Sequence, residues 1–414
     1  MRAFSGRRVI RAGHRAALLS LVLAACADAP EPTLVGVAVL PADHFVTGPI
    51  SGQFIEPANG RTPPFDGQPV QGFSALIGNG DGSFLALPDN GYGRKENSAD
   101  FALRVYRLRP DFRTADGGSG TIEVEPAFLL RDPDRMISFP IVADLELYPG
   151  STIPVDPTIR NGRLLSGADL DVESFRRVPD GTFYFGDEFG PFLLHTDSTG
   201  KLLEAPIQLP GAWSPQHPLL GAEEPNARAS GGFEGMALST DGTTLYPMLE
   251  RPLVGQEGQL NVYAFDLAAG AFTHSDPYEP PFKYRMDPAG VGVPEITAVS
   301  DGGFLVIERD EGQGPTARHK KVFLVDLGEV DGEGFLVKTE VIDLLDIADP
   351  HDMSGSGTGR FTFPYETTEA LVVLDDGVIG IINDNNYPFG LGRHAATGQP
   401  DDNEFILVRI GPLP

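Results

Sequence analysis

The sequence predicts an all-β fold, a β-propeller of six blades with five or seven also compatible, and three observations carry that prediction. The first is composition. The 414 residues include 50 glycines and 37 prolines, only 21% are charged, and the long Ala/Leu/Glu/Lys stretches that build helices are missing, which favours many short strands joined by turns. A hydrophobic fraction of 41% is enough to bury a large core. The second is an internal repeat. "GFSALIGNGDGSFLALPDNG" (72–91), "ESFRRVPDGTFYFGDEFG" (173–190), "GFEGMALSTDGTTLYPMLE" (232–250), "PEITAVSDGGFLVIERD" (294–310) and "TEALVVLDDGVIGIINDNN" (368–386) each set an apolar run, an Asp-Gly or Gly-Gly turn, and a second apolar run. Asp-Gly between alternating hydrophobics is a strong hairpin signal, because glycine supplies the positive φ that a tight turn needs. The third is the set of further strands, "FALRVYRL", "PFLLHTD", "NVYAFDL", "KKVFLVDL" and "FILVRI", which extend a hairpin towards a four-stranded blade. A two-sheet sandwich leaves the repeat unexplained.

In chain order, the first element is a leader. Residues 1–25, "MRAFSGRRVIRAGHRAALLSLVLAA", have an arginine-bearing start and an apolar run, the pattern of a secretory signal peptide. Cys26 follows Leu23, Ala24 and Ala25, as in a bacterial lipobox, and is expected to be lipidated; an ordinary cleavage site beside a stray cysteine is the alternative. The protein is thus expected to be exported and lipid-anchored in the bacterial envelope, at the outer membrane or in the periplasm. As the single cysteine, it offers no internal disulfide. Residues 26–40 read as a tether and 41–414 as the propeller domain. Consecutive hairpins recur every 60 to 75 residues, except for about 100 between the first and second. There "TIEVEPAFLL" and "IVADLELYPG" suggest a sixth, degenerate blade.

Removing residues 1–25, with five arginines and no acids, moves the formal net charge from −27 to −32. So acidic a chain disfavours nucleic acid and anionic lipid as partners, leaving the anchor as the membrane contact, and favours divalent cations. It is expected to act as a monomer.

Treated as two-residue hairpins, the repeats place acid opposite acid: Glu173 faces Glu188, Glu295 faces Glu308, and Glu369 faces Asp384. Glu234 meets residue 249, one short of Glu250, a step that the extra threonine of "DGTTLY" could absorb as a bulge. In the first repeat Ser74 faces Asp89. Opposed like charges destabilise a strand pair, and a bound cation offsets that. Oxygen ligands of this kind suit Ca²⁺. Glu173, Asp187, Glu188, Glu234, Glu250, Glu295, Glu308, Glu369 and Asp384 are therefore the candidate metal ligands, at one mouth of the central channel. Acids that cap strands by bonding backbone amides are the structural alternative. Arg251 and Arg309 adjoin mouth acids and could bind a substrate anion, whereas the "RHKK" run of Arg318, His319, Lys320 and Lys321 reads as a solvated face. His195 reads as a strand residue rather than a general base, and Trp213 as a loop residue that could wall a pocket. No Gly-x-Ser-x-Gly, His-Glu-x-x-His or Gly-x-x-x-x-Gly-Lys motif occurs, which argues against the chemistries they serve.

"DVESFRRVPDGTFYFGDEFGPFLLHTDSTG", "GGFEGMALSTDGTTLYPMLERPL", "GGFLVIERDEGQG", "KKVFLVDL" and "GIINDNNYPFG", in this order, resemble the phytase-like family, described by the esterase-like activity of phytase. The resemblance covers most of the chain from about residue 70. It implies hydrolysis of phosphoric esters, dependent on calcium by analogy with propeller phytases. The matching polar positions are Glu173, Asp187, Glu188, Glu234, Glu250, Arg251, Glu308, Arg309, Asp384 and Asn385. Glu188, Glu234 and Glu250 are expected to be catalytic, with Arg251 and Arg309 binding substrate. "VESF" and "TEAL" depart from the family's more usual glycine after the glutamate, which puts close backbone approach there in question. A calcium-dependent lactonase or carboxylesterase, and a non-enzymatic surface scaffold with structural calcium, are the alternatives.

Overall fold

The computed structural model describes residues 30–375 and 377–413; the expected signal peptide, Cys26 and Asp376 of the last turn lie outside the described residues. The repeated hairpins form the two inner strands of each blade, as the propeller reading requires, and five of them close the ring. Blade one comprises Phe73–Gly78, Phe84–Pro88, Arg104–Asp111 and Thr121–Leu129; blade two, Val172–Arg177, Phe183–Asp187, Phe192–Thr196 and Ile207–Gln208. Blade three begins Phe233–Leu238 and Thr244–Leu249, with its outer part split into short strands, and blade four comprises Gly292–Ala298, Gly303–Arg309, Lys320–Val330 and Leu336–Asp343. Blade five comprises Thr367–Asp375, Val378–Asp384, Asn403–Arg409 and, as its outer strand, Thr33–Leu40. The five inner strands pack in cyclic order, and that of blade five returns to that of blade one.

The sixth blade is thereby corrected to five. "TIEVEPAFLL" supplies the outer strand of blade one, paired with Arg104–Asp111, and "IVADLELYPG" contains a single 3-10 turn, Val142–Asp144. Its apolar residues have another destination. Phe139, Ile141, Val142 and Tyr148 pack into the core cluster that also holds Leu87 of blade one and Phe185 of blade two.

The expected tether is corrected too, because Thr33–Leu40 is a nearly continuous apolar run that pairs antiparallel with Asn403–Arg409 from the other end of the chain. This strand seals the ring, and Leu34, Val37, Ala38 and Leu40 are buried. Leu34→Asp puts an unpaired charge into that seam and is expected to lower stability by several kcal/mol, roughly the size of large core losses. A melting temperature unchanged by the substitution would show that the seam does not hold the ring together.

Each inner hairpin carries a bulge near the mouth. In blade two, Val172 pairs with Asp187 and Ser174 with Gly186, leaving Glu173 extra. Ser74, Glu234 and Glu369 occupy the same place in blades one, three and five, and the register also slips between Gly292 and Glu295 in blade four. The expected acid-to-acid facing within each ladder is therefore wrong, for two reasons. In blade two the turn is a three-residue loop, in which Val178 bonds Thr182 and only Gly181 takes positive φ, so the register starts one residue short. The bulge then removes a second residue. A bulge re-aims its side chain, so the glutamates meet across blades.

Candidate active site at the channel mouth

The tops of the inner strands gather buried acids from blades one, two, three and five. Glu188 follows the second strand of blade two; Glu234 is the bulge residue of blade three and Glu250 follows that blade's second strand. One carboxylate oxygen from each lies within 4.8 Å of the others. Oxygens on opposite sides of one Ca²⁺ at about 2.4 Å are separated by about that much, so the spread of this trio is that of a hard-cation site. Glycines make the approach possible: a Cβ on Gly292, which opens the inner strand of blade four, would stand 2.5 Å from Glu250 Oε1.

Arg309 closes the trio on its inner side. Its Nη2 lies 3.0 Å from Glu250 Oε1, 3.2 Å from Glu369 Oε1 and 3.7 Å from Glu234 Oε1, and its side chain is 7% exposed. The guanidinium thus serves the acids as their counter-ion. Arg251 differs. It donates to Glu250 Oε2 at 2.8 Å and to Glu311 at 3.1 Å, with 28% of its side chain exposed. Solvent reaches it.

Charge is crowded here. Burial pushes Glu234 well above the ordinary glutamate range, and Glu250, Glu369 and Glu188 add to the rise against the pull of Arg309. Burial does the same to Glu188, reinforced by Asp171 and Glu250, and to Glu173, reinforced by Glu234, Asp171 and Asp89. Asp384 rises by burial and by repulsion from Asp89 and Glu369. Burial lifts Glu369 as well, against Arg309. Carboxyls in this state take up either protons or a cation.

Three predicted ligands are engaged elsewhere. Asp187 accepts from the backbone N–H groups of Asp171 at 2.8 Å and Gly190 at 2.6 Å, so it ties the loop after its strand, and burial raises it to about 7. Glu295 meets Arg176 Nη2 at 2.6 Å and accepts from Thr297 at 2.8 Å. Arg176 stands on the inner strand of blade two and Glu295 on that of blade four, so this pair bridges the channel. Glu308 is bonded by Tyr284, Lys338 and His319, with His319 Nε2 at 3.1 Å. The sequence reading groups these three with the mouth because only their position in the repeat is visible there.

The "RHKK" run is not a solvated face, since His319 and Lys320 are buried. Lys320 Nζ lies 2.9 Å from Asp310 Oδ1 and donates to the Glu366 carbonyl at 2.9 Å, and burial lowers it to about 8. His195 is a strand residue, stacked on Tyr184 with centroids 4.3 Å apart. Trp213 packs on His217. Where the glycine after the glutamate is kept, at Gly235, the chain packs against the backbone of Glu295 and Ile296; at the departure Ser174 the hydroxyl turns to the Phe233 carbonyl at 3.5 Å.

Sequence reasoning notes Asp89 only as facing Ser74, and misses Asp171 and Arg176. Asp171, two residues before Glu173, holds Asn90 through both carboxylate oxygens, and burial raises it to about 8. Its place ahead of the repeat motif hides it. Arg176 lies inside a strand, where side-chain alternation does not reveal which partner it meets across the channel.

The sequence profile of the phytase-like family, described as the esterase-like activity of phytase, matches residues 68–387. A protein of Arthroderma benhamiae named an uncharacterized secreted protein is 25% identical over 303 residues. The match spans 58% of this chain and 58% of that protein, so the chain aligns with little more than half of the relative's length. Among solved structures, the calcium-binding protein regucalcin of Agrobacterium tumefaciens C58 is 13% identical, with 83% of this chain and 92% of that one covered at a TM-score of 0.38. A Lactobacillus plantarum protein is also 13% identical at a TM-score of 0.38, with 93% and 97% covered.

Proposed function

The chain belongs to the phytase-like family, and from that premise we propose that it is an exported hydrolase of small anionic esters, phosphoric esters foremost, with its reaction centre at the acidic mouth. One observation carries the reading: three buried carboxylates at chelating spread stand beside a half-buried arginine that solvent can reach. Glu188, Glu234 and Glu250 would hold Ca²⁺. When bound, such an ion polarises a phosphoryl oxygen and lowers the pKa of its water. Arg251, already held by Glu250 and Glu311, orients the ester's anionic group with its planar donors. Arg309 keeps Glu234, Glu250 and Glu369 together beneath the substrate. Arg176 and Glu295 bridge the channel below, which directs the substrate to the mouth.

A panel of phosphate, carboxyl and lactone esters assayed with and without chelator tests this. Turnover of phosphate esters that chelator abolishes is the expected result. Turnover of lactones alone, or of nothing, contradicts it.

Arg251→Ala is expected to raise KM for a phosphate ester about tenfold or more while calcium affinity changes little, since the residue acts on substrate. Kinetics identical to the parent would take Arg251 out of the site.

Export is supported by the leader pattern of residues 1–25 and by the secreted relative. Lipid anchoring rests on Cys26. Cys26→Ser should move the protein from the membrane fraction to the soluble one. Continued partition with membranes would mean that the anchor lies elsewhere.

A further inference from the structure

The apolar segment that stands in place of the expected sixth blade walls a cleft. Phe139, Pro140, Ile141, Leu145 and Pro149 from this segment, with Pro218 from the loop after blade two, line a space of about 260 Å³. Its walls are fixed. Asp169, also in the lining, accepts from Val142 N at 2.7 Å through one oxygen and from Ser166 N at 2.8 Å and Ser166 Oγ at 3.0 Å through the other. Both its oxygens are thus used in holding the segment down. Phe139 stacks on Phe192 of blade two with centroids 6.1 Å apart. The space is ample for one ring, since a dry cavity of about 150 Å³ already takes a benzene.

Two links join the cleft to the mouth. The first is the backbone: two residues after Asp169, the Asp171 carbonyl accepts from Glu188 N at 2.8 Å, so Asp169 Cα lies at most about 12 Å from Glu188 N. The second is Lys95, which lines the cleft from the loop after the second strand of blade one. Its Nζ stands 5.2 Å from the ring centroid of Phe189, the residue that follows Glu188. Among the described residues ion pairs engage Lys201, Lys320, Lys321 and Lys338 but not Lys95. A half-buried ammonium without a carboxylate partner, set between an apolar cleft and the trio, is complementary to an anion. Glu96, the other charged side chain of the lining besides Asp169, is exposed.

We propose that this cleft is the subsite for the organic group of the ester, that the group is a small apolar one, an aryl or short alkyl substituent, and that Lys95 meets the ester's anionic end at the rim. This rests on the reading of the mouth as the reaction centre. A polyhydroxylated alcohol would leave its hydroxyls without partners against Phe139, Ile141, Leu145 and the prolines, which costs binding. An apolar ring leaves water for a preformed apolar wall, which favours binding. The substrate class narrows to phosphate esters of apolar alcohols and phenols.

Binding of phenyl-, methyl- and dihydroxypropyl-phosphonate, measured by calorimetry on the whole protein in millimolar calcium, tests the proposal. Phosphonates are not hydrolysed, so the readout stands apart from turnover. Phenylphosphonate is expected to bind about tenfold or more tighter than the other two. Leu145→Trp, which fills the cleft, should bring that ratio to within about twofold. Lys95→Met keeps the side-chain stem and removes the charge, and should weaken phenylphosphonate about fivefold or more. Equal wild-type affinities, or a phenyl preference that survives Leu145→Trp, overturn the subsite and leave the mouth in place. Unchanged binding in Lys95→Met overturns the role of Lys95. Binding of none of the phosphonates overturns both the subsite and the anionic-ester reading, whereas a phenyl preference in a protein that turns over no phosphate ester supports the cleft and removes the hydrolase. Should Leu145→Trp fail to fold, Pro149→Trp at the exposed lip is expected to lower the ratio about threefold or more; an unchanged ratio overturns the subsite.

Discussion

Arg309→Leu is expected to cost about 3–5 kcal/mol of stability at pH 8 in the presence of chelator, the usual loss when one partner of a buried ion pair is removed. Three carboxylates, Glu234, Glu250 and Glu369, then face one another without their counter-ion. Arg309 is itself raised by these acids against its burial, which is the same coupling seen from the cation. The loss should shrink at pH 5, where Glu234 and Glu369, both already raised by burial, take up protons. Calcium should shrink it as well. Denaturant unfolding at the two pH values separates charge from packing: an equal loss at pH 5 and pH 8 would mean that Arg309 acts only by filling space.

The second large effect is on the metal-free wild type. Carboxyls raised in the folded state bind more protons than they do unfolded, so their stability contribution is full below their ordinary pKa and is lost as pH rises through the folded value. Burial lifts Asp89 to about 6, Glu295 to about 7 and Asp171 to about 8, which sets a window from about pH 4 to pH 8. In chelator the melting temperature should therefore fall between pH 5 and pH 8.5, by roughly 5–10 °C given the shallow temperature response of a chain this long. Millimolar calcium should flatten the profile, because the ion takes the place of the protons and binds only the folded state. A melting temperature that rises with pH in chelator would show that the mouth acids are ionised and satisfied without metal.

The blades were legible because their signal is local. Asp-Gly turns between alternating apolar runs, as at Asp180-Gly181 and Asp301-Gly302, need no knowledge of the partner strand. The blade count was less legible: Phe139, Ile141 and Tyr148 are apolar enough for a strand, yet they pack between blades one and two without forming one. The closing strand Thr33–Leu40 was hidden because its partner lies at the far end of the chain. At the mouth, the acids of the repeat were visible but their facing was not. A single bulge at Glu173 or Glu234 turns an opposed pair into a neighbour of the next blade, and nothing in residue type marks which position bulges. Glu308 shows the same limit in another form. Its repeat position matches Glu250, but His319, just before the third strand of its own blade, and Lys338, in the fourth, decide its role.

The most direct measurement is a calcium titration of Glu234→Gln, Glu250→Gln and the double variant by calorimetry. If the two residues serve one ion, each single change lowers calcium affinity at the trio and the double change costs less than the sum of the two. Strictly additive losses, or single variants that bind calcium as the parent does, would contradict a shared ion and return these acids to a purely structural role.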